Sequence, residues 1–231
     1  MGKGVSKEAA KTIAIDFVNS LNYQVPLDFK IRDSWKELYG VDGIGGGGFH
    51  SAVSNNERGI VTVAANNHRS NAAVLRTLQH EILGHYLVNT YTPQEKRAAI
   101  AGIMASQNEP SLKEHWQKVN AQYSEMPLSI QAEEVFASIA ERVDINPLNH
   151  PTKDLLLTET SSINLNSVES SIQHRVNLLK AGELEQKTFP NTDIHSGPFA
   201  GFDLELRATE WKRNHPAPEV QTQSPPQSPR G

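Results

Sequence analysis

The 231-residue sequence contains no cysteine. That absence excludes a disulfide framework and any thiolate metal site, so a metal in this chain would be held by histidine and carboxylate. No apolar run approaches the roughly 20 residues that span a bilayer, and the amino terminus lacks the apolar core of a secretory signal. Positive charge is also scarce. Lys and Arg number 22 against 26 Asp and Glu, a formal net charge of -4, and no Lys/Arg-dense run occurs. A dedicated nucleic-acid binder carries a basic patch, so no direct nucleic-acid partner is expected. The glycine-rich stretch DGIGGGGFH, residues 42–50, has neither the lysine of a P-loop nor the strand-to-helix setting of a dinucleotide fingerprint. It reads as a mobile loop.

What is present points to one cytoplasmic, soluble domain of fold class α+β. A hydrophobic content of 37% over this length supports one sizeable core. The domain is expected over residues 1–210, its core over about 49–143, with a disordered Pro/Ser/Gln-rich tail over 211–231. The start MGKGVS also matches the short N-myristoylation pattern, for which a flexible leader of small residues is the simpler account.

Ser6 caps an expected helix whose apolar positions Ala10, Ile13, Phe17, Val18 and Leu21 follow the helical repeat. Leu27, Phe29 and Ile31 alternate with polar residues as a strand does, and FHSAV and GIVTVAA read as a hairpin. Ser70 caps a helix running to about Asn89. Thr92-Pro93-Gln94-Glu95 and Ser111-Leu112-Lys113-Glu114 are capping boxes for two more helices, and a fourth begins near Ser129. A later helix over about 168–181 is ended by Gly182.

The helix from Ser70 contains RTLQHEILGHYLVN, residues 76–89, with two histidines five residues apart. Given the His and Glu content of the chain, His-Glu-x-x-x-His is expected by chance roughly 0.03 times. On an ideal helix five residues subtend about 140°, which would point His80 and His85 apart. A single widened turn that absorbs one extra residue brings them onto one face, and Gly84 tolerates such a distortion. The two imidazoles are then candidate zinc ligands, and Glu81 faces the metal as a general base. Otherwise they are helix residues with separate partners. A third ligand is offered by Glu133 or Glu134, an acidic pair inside the apolar helix AEEVFASIAERV, residues 132–143. Burial on a helical wheel favours Glu133. Small Ala137, one turn beyond Glu134, favours Glu134 by allowing close helix approach.

These motifs resemble known families. HEILGH, His80 to His85, is similar to the HExxGH motif of dipeptidyl peptidase III, and EEVFAS is similar to that family's second motif at Glu133, Glu134 and Ala137. From about Phe49 to Arg142 the chain resembles the zincin-like, gluzincin-type metallopeptidase domains of large polyvalent proteins of phages and conjugative plasmids. Leu87 stands where many of those domains have glycine. The resemblance implies a zincin-like fold, with a small antiparallel sheet packed on helices and an active helix beneath an edge strand. It implies a zinc-dependent hydrolase cutting a peptide or protein substrate, with one Zn2+ on His80, His85 and Glu134 and with Glu81 as base. Tyr86, Tyr123 and His174 are candidates to steady the oxyanion, and Ser138 and Glu141 to orient a ligand histidine. The alternatives are a non-catalytic zincin-like interaction module, for example a blocker of host defence transferred with mobile DNA, and a nuclease using the same ligands.

Overall fold

In the computed structural model, residues 4–52, 57–146, 151, 153–158 and 163–189 are described. The expected tail, the end of the expected domain and the Met1–Lys3 start lie outside them.

Ser6 caps helix α1 (Lys7–Ser20) by accepting from Ala9 N, and Ala10, Ala14 and Phe17 form its buried side. Strand β1 (Leu27–Arg32) alternates as the sequence indicates, burying Leu27 and Ile31. Next come the short helix α2 (Trp35–Tyr39), β2 (Gly47–His50) and β3 (Gly59–Ala64). The strand order is β1-β3-β2, with β3 parallel to β1 and antiparallel to β2. The hairpin partners pair as expected, but the sheet is mixed rather than antiparallel. The chain between β1 and β3 passes through α2 and β2, long enough to return β3 in the direction of β1.

The glycine-rich loop is held against its neighbours at several points. Asn67 donates to the carbonyls of Gly43 and Gly45, and His68 bonds the carbonyl of Gly46. Cβ atoms at Gly43 and Gly45 would each fall 2.3 Å from the Trp35 ring. These glycines serve close approach of backbone to an aromatic face.

Ser70 caps α3 (Asn71–Gln79), which continues without a break through His80–Tyr86 into α4 (Leu87–Asn89). The middle section is a π-helix, the widened turn that the five-residue spacing requires. Thr92 and Glu95 form the expected capping box on α5 (Pro93–Ala105). The second expected box does not form. The oxygens of Ser111 and Glu109 engage each other in a short 3-10 turn, and α6 (Lys113–Tyr123) starts without a side-chain cap. Helix α7 (Leu128–Ala140) is buried on all sides from Ser129 to Ala140. Helix α8 (Leu155–Thr158) packs on α9 (Leu165–Lys180), capped by Asn164 and followed by Gly182 at φ 73°.

Helix α7 lies along the π-helical section. A Cβ on Gly84 would sit 2.5 Å from Ala137 Cβ and 2.6 Å from its Cα. Gly84 and Ala137 therefore set the separation of the two helices, which brings the two histidines opposite the acidic pair.

Candidate metal centre

The π-helical section turns both imidazoles to one side. Their Nε2 atoms are 3.2 Å apart, with rings steeply inclined at 72°. Glu134 faces them from α7, Oε2 at 3.4 Å from His80 Nε2 and Oε1 at 3.6 Å from His85 Nε2. Among the described residues, His80, His85 and Glu134 form a group whose ligand atoms all lie within 4.8 Å of one another. A possible metal site is thus present at the three residues named from the sequence. Glu133, the competing candidate, points elsewhere and meets the other ring nitrogen of His85, Nδ1, at 3.0 Å.

The far sides of both rings are occupied by carboxylates. His80 Nδ1 is 3.1 Å from Glu141 Oε1, as His85 Nδ1 is from Glu133 at slightly shorter range. An ionised carboxylate only accepts, so each Nδ1 carries the proton and donates it. In neutral rings each Nε2 then presents a lone pair. Two such lone pairs and the Glu134 oxygens converge on one small volume, an arrangement that repels itself unless a cation or a proton lies between them. Burial alone would raise the Glu141 carboxyl, yet hydrogen bonds from His80 and Lys118 outweigh it and hold it below the usual range.

Glu81 is buried at 7% exposure and does not join the ligand group. Burial raises the pKa of Tyr39 and lowers that of His50, and the smaller effect of the Glu81 charge raises both. Those two residues were not singled out from the sequence. The Thr62 hydroxyl donates to Gly48 O at 3.0 Å, so Tyr39 donates to Thr62 at 2.6 Å, and His50 Nε2–H donates to Tyr39 at 3.1 Å. His50 is left with Nδ1 as its acceptor. The register Gly48 to Thr62 across β2 and β3 would have paired these residues, but no local motif announces it.

The other expected helpers separate. Glu141 orients His80 as its placement indicates, whereas Ser138 bonds His115 Nδ1 at 2.9 Å. Tyr86 is buried, its ring edge-on to Phe49, and burial drives its hydroxyl far above the ordinary range. His174 bonds Pro151 O from α9, and Tyr123 ends α6.

Fold and site together define an α+β protein with a two-histidine, one-carboxylate candidate metal centre. No family profile matches the chain, and no solved structure matches it. The chain is similar to the DNA primase TraC of Escherichia coli, 32% identical over 202 residues that cover 80% of this chain. It spans 14% of that primase's length. A match covering that share of the chain includes residues 80–134, so the candidate centre lies within it.

This similarity corrects the earlier expectations. Placement among the zincin-like metallopeptidase domains, with the dipeptidyl peptidase III motif, is overturned, and with it peptide hydrolysis, the peptide substrate and the exclusion of nucleic acid. The host-defence interaction module has no support either. The physical reason is that His-Glu-x-x-x-His with a distant Glu specifies a donor set, and one donor set serves many reactions. Net charge, likewise, averages over the surface and does not report a local binding face. No helix among the described residues is long and apolar enough to cross a membrane.

Proposed function

We propose that the chain is a zinc-binding module serving DNA priming, with nucleic acid as its partner and nucleotidyl transfer, rather than hydrolysis, as its enzymatic setting. The observation that carries this reading is the 32% identity to a DNA primase over a span that includes the centre.

The donor set favours zinc. It holds two imidazoles and one carboxylate without thiolate, and leaves one position open. Two nitrogens bound at about 2.0–2.1 Å to a tetrahedral zinc stand roughly 3.3–3.4 Å apart. The Nε2 atoms here are separated by 3.2 Å before any rearrangement. His80, His85 and Glu134 would hold the ion, and Glu81 would serve beside it as a proton acceptor. A tightly held Lewis acid is the chemistry such an ion supplies.

The β1 edge of the sheet supports a nucleic-acid partner. Lys30 and Arg32 are exposed and two apart on β1, on the same side as His50 of β2. Trp35 and Tyr39 pack together on α2 beside them, 4.4 Å between ring centroids. Cations next to aromatic rings suit a single strand. Fluorescence anisotropy with a labelled single-stranded oligodeoxynucleotide tests the proposal. Saturable binding that weakens as salt rises, and weakens further in a Lys30→Glu, Arg32→Glu protein, is expected. Absence of binding even at low salt would overturn it.

A further inference from the structure

Each histidine of the centre belongs to a three-member chain, and the two chains have the same chemical order. Buried Lys96, 2% exposed, reaches Glu133 Oε2 at 3.2 Å and Asn89 Oδ1 at 2.7 Å, while the other oxygen of Glu133 accepts from His85. Lys118 reaches both oxygens of Glu141, at 2.9 and 3.0 Å, and Glu141 Oε1 also accepts from His80. The first chain is closed in the interior between α5, α7 and the π-helical section. The second opens to solvent, with the Lys118 side chain 43% exposed.

We infer that Lys96 and Lys118 are positioning residues: through Glu133 and Glu141 they hold both imidazoles in the Nδ1–H form with Nε2 lone pairs converging. This rests on the zinc reading above and adds what prepares the ligand rings. Three carboxylates meet the two imidazoles, Glu133, Glu134 and Glu141, and two of them are also held by a lysine. Without the lysines the carboxylates behind the rings would lose the contacts that aim their oxygens at Nδ1. With the lysines alone and no carboxylates, the rings would be free to rotate and to carry their proton on either nitrogen.

Buried ion pairs removed as a pair cost far less than one partner removed alone, so double neutral variants separate positioning from folding. The test compares wild type, Lys96→Met with Glu133→Gln, and Lys118→Met with Glu141→Gln, all as full chains. Zinc affinity is read by chelator competition, the zinc-free thermal midpoint by calorimetry, and the histidine tautomers by nitrogen NMR without metal. Wild type should show both rings protonated at Nδ1. The Lys96/Glu133 double variant should bind zinc about 10–100-fold more weakly, the range found for groups that support metal-bound histidines. The Lys118/Glu141 double variant should lose less, because water replaces its exposed lysine. Mixed tautomers should accompany each loss.

Wild-type affinity and unchanged tautomers in both doubles would overturn the inference. Failure of wild type to take zinc at all would instead remove the reading on which it rests. If the interior double variant does not fold, the solvent-facing pair still decides: its affinity and its His80 tautomer must change.

Discussion

Among the described residues, two buried clusters of charge differ in how their donors and acceptors meet. In the first, Arg175 of α9 donates through Nε and Nη2 to Thr90 Oγ1, at 3.0 and 2.7 Å, and through Nη1 to Asp154 Oδ2 at 3.3 Å. Tyr91 donates to the same carboxylate oxygen at 2.7 Å, and the guanidinium stacks 3.6 Å above the Tyr91 ring. Thr90 passes its own proton to Leu87 O. One cation meets one anion, and donors meet acceptors. In the second cluster the acceptors face one another: two imidazole lone pairs and the Glu134 carboxylate. Burial of charge is common to both. Convergence of acceptors distinguishes the centre, and it is the better guide to a binding site.

Substitutions should separate the two clusters cleanly. Arg175→Met leaves the Asp154 carboxylate buried without its cation and should lower stability by about 3–5 kcal/mol. In the protein that remains folded, zinc affinity should match wild type. Denaturant unfolding with and without zinc checks both statements, and a parallel loss of zinc affinity would show the clusters to be coupled.

The reverse pattern is expected at the centre. Glu134→Ala should reduce zinc affinity by more than about 100-fold, beyond what a supporting group contributes. Its zinc-free stability should hold or rise, because a carboxylate facing lone pairs is removed. Glu133→Ala should instead destabilise the fold, since it takes the carboxylate from buried Lys96. Equal effects of the two on zinc would erase the difference between ligand and support.

Gly84→Ala sharpens the comparison from the packing side. The added methyl would meet the Ala137 backbone, so α7 must move or the π-helical section must shift, at about 1–3 kcal/mol. Zinc affinity should fall along with stability, in contrast to Arg175→Met. Differential scanning calorimetry and chelator competition on one preparation would read both.

The smallest effect belongs to two buried histidines outside the ligand group. Burial lowers the pKa of His115 and of His68 from 6.5. The unfolded chain therefore binds protons at a higher pH than the folded one. Stability should be complete above about 6.5 and decline as pH falls through the folded-state values. His115→Gln should reduce that slope in urea titrations at successive pH values, and an unchanged slope would assign it elsewhere.

The sequence made much of this legible, for reasons that differ by element. Ser6, Ser70 and Thr92 cap helices because a short hydroxyl side chain answers to its own local backbone. The widened turn followed from the angle between His80 and His85, and the close approach of α7 from small Ala137. A helical wheel does not discriminate Glu133 from Glu134, because α7 has no solvent side and an apolar axis has nothing to separate. The parallel pairing of β1 with β3 depends on a connection no periodicity encodes. The lysine partners and the Tyr39–His50–Thr62 chain join segments distant in sequence, and their pairing appears only in three dimensions. Chemistry was the least legible, since a donor set does not name its reaction.

The central claim is that His80, His85 and Glu134 hold one divalent ion. The most direct measurement is equilibrium dialysis of the zinc-free full chain against zinc, followed by elemental analysis, with the Glu134→Ala protein alongside. The account predicts one zinc per wild-type chain and a vacant site in the variant at the same free zinc concentration. Zinc content near zero in folded wild-type protein, or equal content in the two, would contradict it.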